Sequence, residues 1–252
     1  MQVAVISDIH GNLPALEAVL ADIGETGAEE IWCLGDVVGY GASPTECTET
    51  VREVCGTVLV GNHDLAVLGQ LDTSTFSGAA SAAVEWTQER IDPDALSWLG
   101  TLSPAATDKP AALYHASPRD PVWEYVLWPD QAADCIAVQD KRVALIGHSH
   151  VALFFSVPDE QDRRGDSAPA EARGWQTGAG TRLEITHGRW LINPGSVGQP
   201  RDGDPRAAWL ELDTESWEAT YHRVGYDIDR AAEAIEATDL PPHLAKRLYV
   251  GR

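Results

Sequence analysis

Positive charge is what this sequence has least of. Its 252 residues carry 18 Lys and Arg against 39 Asp and Glu, a formal net charge of −21, and no Lys/Arg-rich run occurs anywhere. That balance argues against a protein whose main task is gripping nucleic acid or an anionic membrane, because neutralising phosphates takes clustered cations. Cysteine is sparse as well: Cys33, Cys47, Cys55 and Cys135 form no C-x-x-C pair, and three of them lie in apolar periodic segments. Buried, reduced thiols are the reading that follows. No stretch approaches the roughly 18 apolar residues that cross a bilayer. The chain opens directly on a strand-like "QVAVIS" with no basic segment before it, so a secretory signal is not expected and a soluble cytoplasmic protein is. There is no G-x-S-x-G elbow, no activated-cysteine signature and no internal repeat.

What is present is a strong alternation of elements. Hydrophobic residues make up 44%, enough for a continuous core, and the length suits one large α/β domain over residues 1–252. The first half repeats one grammar of short apolar run, polar loop and helical pattern. Runs at Val3–Ser7, Ile31–Leu34, Thr57–Val60, Ala111–Tyr114 and Val143–Ile146 predict strands. Leu16, Val19, Leu20 and Ile23 recur at helical spacing. A second helix should open at Ser43, with Pro44 in its first turn and Glu46 completing a capping box. Further helices are predicted over about 74–90 and from Pro93 behind an Asp92 cap. Beyond residue 150 the pattern turns strand-rich, closer to an antiparallel meander, before a helix over about 227–237 and a short one after Pro242. Polar residues 158–180 read as a mobile surface insertion. The whole predicts two sheets packed together with helices outside.

Chemistry gathers where the strands end. After the first run come Asp8 and His10, after the second Asp36, and after the third Asn62, His63 and Asp64. The fourth leads into His115 and the fifth into His148 and His150. Alone, each is modest: Asp8-x-His10 suits a helix cap beside a surface His, Gly35-Asp36 a turn, and both Asn62-His63-Asp64 and His148-x-His150 a polar loop. Five strand ends with metal-capable residues are not coincidence, since functional groups of α/β sheets gather at the carboxyl ends of parallel strands. Carboxylate, amide oxygen and imidazole without thiolate suit Mn²⁺, Fe²⁺ or Zn²⁺. Seven such ligands exceed the four of a structural zinc, and two ions sharing a carboxylate fit the count better. Bound cations would also supply the local attraction for an anionic substrate that the acidic surface lacks.

The segments "SDIHGN", "LGDVVGYG", "GNHD", "YHASPRD" and "GHSH" resemble, in order and spacing, the five signature blocks of calcineurin-like metallophosphoesterases. The likeness is greatest to the small bacterial and archaeal phosphodiesterase/phosphatase group. It covers residues 1–155 and extends to "INPGSVGQPRDGDPRAAW" at Ile192–Trp209. The resemblance implies a four-layer αββα sandwich of two packed mixed β-sheets flanked by helices. It implies that Asp8, His10, Asp36 and His150 hold one divalent ion and that Asp36, Asn62, His115 and His148 hold the other. Mn²⁺ is the first choice of ion, with Fe, Zn, Ni or Co as alternatives. His63 would face substrate as general acid, with Asp64 fixing its orientation. A water bridging the ions, deprotonated near neutral pH, would attack phosphorus in line. Ala116 departs from the glycine usual after the fourth-block histidine, which removes no ligand.

Around this set the reading leaves several choices open. Asn12 serves equally as phosphate donor or helix cap, and Arg201 as substrate contact or turn residue. Trp123, Tyr125 and Trp128 read as a half-buried core strand, with a cleft wall as the alternative. His187, His222 and His243 read as surface or structural. The substrate expected is a phosphate-ester small molecule or nucleotide, with no membrane partner and no stable nucleic-acid complex. The rivals are a catalytically silent metal-binding scaffold of the same fold, which should have lost ligands, and a nuclease of the same superfamily, which should carry a basic groove. A metallo-β-lactamase-type site would need H-x-H-x-D-H, which "HSHVAL" does not supply.

Overall fold

Alternation within single strands sorts the core into layers. In β1 (Gln2–Ile6), Val3 and Val5 point to one side, Ala4 and Ile6 to the other, and all four are buried. A strand apolar on both faces belongs inside a sheet covered on both sides. The computed structural model describes residues 1–159 and 171–252, and in it β1 sits near the middle of a six-stranded mixed sheet. It pairs in parallel with β2 (Glu30–Cys33), which pairs in parallel with β3 (Thr57–Val58). On its other side, antiparallel, follow β11 (Ala207–Asp213), β12 (Glu218–Val224) and β9 (Arg182–Glu184). The second sheet runs β4 (Ala105–Ala106), β5 (Ala112–Tyr114), β6 (Val143–Leu145), β10 (Arg189–Pro194), β7 (Ala152–Val157) and β8 (Arg173–Gln176). Its β5, β6 and β10 are mutually parallel, and the others attach antiparallel.

The two sheets close on each other through Val3, Val5, Leu210 and Leu212 of the first and Leu113, Val143, Leu145 and Ile192 of the second. Burying each such side chain stabilises the fold by roughly 1.5–3 kcal/mol. Tyr221 stitches the layers together, its hydroxyl donating to the Leu153 carbonyl at 2.7 Å. Outside the first sheet lie α1 (Leu13–Gly24), α2 (Pro44–Val54), α4 (Gly78–Gln88) and α5 (Pro93–Leu99), facing it with Leu16, Val19, Val51, Val84 and Leu99. Outside the second, α6 (Pro129–Val138) buries Ala132, Cys135 and Ile136. This is the helix–sheet–sheet–helix sandwich that the sequence predicts. At the carboxyl end of the chain, α7 (Ile228–Glu236) and α8 (His243–Leu248) pack on α4 and Tyr40. All four cysteines are free, and only Cys55 is partly exposed. Among the described residues no helix is long and apolar enough to cross a membrane.

Local chemistry corrects several expectations. The helix predicted over 74–90 is broken, because Asp72 caps a 3₁₀ turn at Thr73–Thr75 and Ser77 then caps α4. The capping box at α2 does not form: Pro44 opens the helix, but the Ser43 side chain makes no capping bond. The Ser43 N–H is instead committed to the Gly11 carbonyl at 3.0 Å, and its ψ of 58° lies off the extended geometry of a cap. The strand-rich half does not form one meander but divides its strands between both sheets. Within residues 158–180, expected as an insertion, Arg173–Gln176 forms the edge strand β8, while residues 160–170 lie outside the described residues. "PVWEYVLW" is not a core strand. The Asp120 carboxylate accepts from the Val122 and Trp123 N–H groups at 3.0 and 3.1 Å and turns the chain there.

Candidate metal centre

The loops leaving β1, β2 and β3 meet those leaving β5, β6 and β10 at one rim of the sandwich. Their backbones are knitted: Asp8 N–H donates to Gly35 at 3.0 Å, His10 to Asp36 at 3.0 Å and Gly11 to Val37 at 2.9 Å. Seven described non-glycine residues have left-handed backbones, and six are here: Asp8, His10, Asp36, Tyr40, His148 and His150, with φ from 50° to 63°. Such conformations cost about 1–3 kcal/mol each and persist only where the surroundings over-determine them. Glycine permits close approach at Gly61, where a Cβ would collide with the Asp36 carboxylate.

Two buried groups of potential ligands share one residue. Asp8, His10, Asp36 and His150 form the first, and Asp36, His115 and His148 the second, with ligand atoms within 4.8 Å of one another in each group. Asp36 stands between them. Its Oδ1 accepts from the His63 N–H at 2.8 Å, while Oδ2 has no hydrogen-bond partner among the described residues. That orphaned oxygen lies 3.6 Å from His10 Nε2 and 3.6 Å from His115 Nε2. Asn62 joins the second group, its Oδ1 3.1 Å from His115 Nε2.

The hydrogen bonds behind the rings fix which nitrogen faces inward. His10, His115 and His150 place Nδ1 at 3.0, 2.9 and 2.7 Å from the carbonyls of Val38, Leu34 and Gln199. A carbonyl only accepts, so each Nδ1 carries the proton and each Nε2 turns a lone pair inward. His148 is reversed, its Nε2 donating to the Trp123 carbonyl at 3.1 Å and leaving Nδ1 for the centre. His10 Nε2 and His150 Nε2 therefore meet at 3.0 Å as two acceptors. Acceptors facing acceptors around an orphaned carboxylate oxygen are what a divalent cation satisfies, and this donor set fits one in each group.

Burial raises the Asp8 pKa to about 7, with the Asp36 charge adding to it, and burial likewise pushes Asp36 up. Burial holds His10, His148 and His150 well below the usual histidine range, so they stay neutral as ligands must. Without metal Asp8 keeps its proton up to about pH 7, whereas the unfolded chain releases it near 3.8, the ordinary aspartate value. Asp8 therefore contributes stability that is full below that value and lost as pH rises through 7. A bound cation would reverse the penalty. Saturating Mn²⁺ at pH 8 should raise Tm by about 5–10 °C over the chelated protein, as expected for ligand at roughly 100 times its Kd. The gain should shrink at pH 5.5, where protons compete for Asp8. Equal Tm with and without metal in a thermal scan at pH 8 would refute the fit.

A family model described as the calcineurin-like phosphoesterase superfamily domain matches residues 1–215. The chain belongs to this superfamily. It is 39% identical to an uncharacterised protein of Methanocaldococcus jannaschii, over 99% of this chain and 98% of the other. It is 36% identical to phosphodiesterase YfcE of Escherichia coli, over 85% of this chain and 89% of that one. The crystal structure of a metallophosphoesterase from Sphaerobacter thermophilus superposes with a TM-score of 0.86 at 37% identity, covering 100% and 99% of the two chains. These relatives accord with a metal-dependent hydrolase of phosphate esters.

Within this phosphoesterase the remaining site residues take distinct places. His63 lies between Tyr40 and Phe76, ring centres 4.4 and 5.0 Å away, at the edge of an open cleft, with Nδ1 unpartnered among the described residues. The expected Asp64–His63 contact is not made. Asp64 spends both oxygens on backbone, accepting from Val38 N–H at 3.0 Å and Gly61 N–H at 2.9 Å. Its place three residues past Gly61, in the first turn of α3 (Asn62–Val67), dictates this. Asn12 caps α1, its Oδ1 accepting from Ala15, while its amide donates to Gly198 O at 2.8 Å and Tyr226 Oη at 3.3 Å. None of its groups is left for substrate. Arg201 lines the cleft, as do Trp123 and Tyr125. His222 stacks on Trp209 at 4.1 Å, a packing role.

The sequence reading missed the supports in the β10 loop. Ser196 donates to the Asp8 carbonyl at 2.7 Å, Asn193 to Gly147 at 2.6 Å, and the Gln199 carbonyl orients His150. Their segment was marked by resemblance, but nothing in it announced contacts made largely through backbone.

Proposed function

We propose that this chain hydrolyses phosphodiesters, phosphomonoesters or both with two divalent cations, Mn²⁺ first among them. Asp8, His10, Asp36 and His150 hold one and Asp36, Asn62, His115 and His148 the other. The observation that carries this reading is the unpartnered Asp36 Oδ2, equidistant at 3.6 Å from one imidazole of each group. Bound cations supply charge for the phosphate oxygens and lower the pKa of an attacking water toward about 7. The chain's own residues do the rest. Asp36 presents one oxygen inward and locks the other on the His63 backbone, so bridge and acid loop move as a unit. His63 faces the cleft and gives its proton to the departing oxygen. Burial, then the Arg201 charge, lower its pKa, and the negative charge of an arriving phosphate opposes both effects. Tyr40, Phe76 and Trp123 exclude water from one side.

A silent scaffold would be expected to have lost ligands, and every position here is filled. A nuclease would need an extended basic track, and the cleft offers two guanidiniums. We place the protein in the cytoplasm, in keeping with its four free thiols. Purified protein loaded with Mn²⁺ and offered aryl monoesters, aryl diesters, cyclic nucleotides and dinucleoside polyphosphates should hydrolyse at least one class. No turnover by protein shown to contain two ions would favour the scaffold reading instead.

A further inference from the structure

The cleft beside the metal ligands holds about 650 Å³. That is the size of a small-molecule site of roughly 300–1,000 Å³, with room well beyond one phosphoryl group. On one side it is lined by Arg201, from the loop after β10, and Arg247, from α8. Their guanidinium carbons lie 5.8 and 5.9 Å from the centre of the Tyr40 ring, which is itself 4.4 Å from His63. Arg90, Arg119, Arg206, Arg223 and Arg230 each hold a carboxylate. Arg201 and Arg247 hold none within 4.0 Å among the described residues, in a chain with 39 acidic side chains to choose from. Arg201 Nη2 donates to Gln199 Oε1 at 2.9 Å, and its buried Nε is unpartnered among the described residues. Arg247 Nε is pinned to the Arg252 backbone oxygen, and its two outer nitrogens have no partner among the described residues. Burial, and after it the Arg201 charge, press the Arg247 pKa down, so keeping the pair together costs the fold something.

Two half-buried cations with no side-chain carboxylate beside them among the described residues are poised for an anion. On the two-cation reading above, on which this inference rests, the residues around Asp36 already serve the scissile phosphoryl group. We propose that Arg201 and Arg247 hold a second phosphoryl group, so that the preferred substrate is an ester carrying at least two phosphates. Paired guanidiniums match a phosphate in charge and in the geometry of forked hydrogen bonds. The rings of Phe76 and Trp123 leave an apolar wall in the same cleft for the organic part.

The test compares kcat/KM of the Mn²⁺-loaded protein on adenosine 5′-monophosphate and 5′-diphosphate, with p-nitrophenyl phosphate and bis(p-nitrophenyl) phosphate as reference esters. Wild type should prefer the diphosphate by about 10–100-fold, the range expected for charge-assisted contacts. Arg247→Gln and Arg201→Gln should each collapse that ratio, and Arg247→Lys should recover part of it. Calorimetry should show inorganic pyrophosphate binding more tightly than orthophosphate, and Arg247→Gln should narrow that gap. Hydrolysis of the aryl esters with no diphosphate preference, or a preference that survives both Gln variants, overturns the subsite alone. Failure of wild type on every ester overturns the phosphoesterase reading and the subsite with it.

Discussion

Asp36→Asn is expected to abolish measurable hydrolysis, with a loss exceeding the roughly 10–100-fold that follows removal of outer partners of a metal ligand. The reason lies in how one carboxylate is used. Oδ1 accepts the His63 N–H, and Oδ2 is the one oxygen placed 3.6 Å from both His10 and His115. An amide of the same shape can keep only one of these positions as an acceptor. With its NH₂ inward, it turns donors toward the cations; with its NH₂ outward, it meets the His63 N–H donor. Either way it lacks the negative charge that the proposed pair of cations would share. Metal analysis should show the variant retaining fewer than two ions per chain. Wild-type turnover with two ions retained would show that Asp36 is not the bridge.

His63→Ala should lower kcat by about 10²–10⁴-fold on alkyl esters, the usual contribution of a positioned acid. The variant should keep its metal, because neither ring nitrogen of His63 contributes to the two ligand groups. The effect should depend on the leaving group. A nitrophenolate departs without help, so the loss on nitrophenyl esters should be far smaller than on alkyl esters. A uniform loss across leaving groups would make His63 a binder of phosphate rather than a proton donor. Loss of metal would make it a support of the cage. Tyr40 and Phe76 hold the ring by contact, and Asp64 acts through the loop, joining Gly61 to Val38.

The set of candidate ligands was legible in the sequence because its signal is local and repeated, whereas its division into two groups came from the resemblance to calcineurin-like metallophosphoesterases. Each signal is a short polar block directly after an apolar run, and parallel strands bring such blocks to one rim. The role of Asp64 was not legible, because its partners are backbone N–H groups that any residue would offer at Gly61 and Val38. The same holds for His10, His115 and His150, whose tautomers are set by the carbonyls of Val38, Leu34 and Gln199. Arg247 carried no signal at all. It reaches the cleft only because α8 packs on Tyr40 and α4, a tertiary event with no trace in local spacing. The misread strand at "PVWEYVLW" has a local cause: its aromatic content suits a strand, but Asp120 just before it folds the chain into a turn.

The division of the ligands between two sheets has a consequence for how the protein is made. Asp8, His10, Asp36 and Asn62 leave the ribosome early, whereas His150 is added 142 residues after Asp8 and Gln199 later still. At about 5–20 residues per second, synthesis alone separates Asp8 from His150 by roughly 7–30 s. Even the first sheet is incomplete in that interval, since β11, the neighbour of β1, begins at Ala207. A nascent chain thus offers fragments of a cage, and both ligand groups exist only once the two sheets have docked. On the two-cation proposal, ion capture then marks the end of assembly, and a chain holding both cations has passed its own inspection.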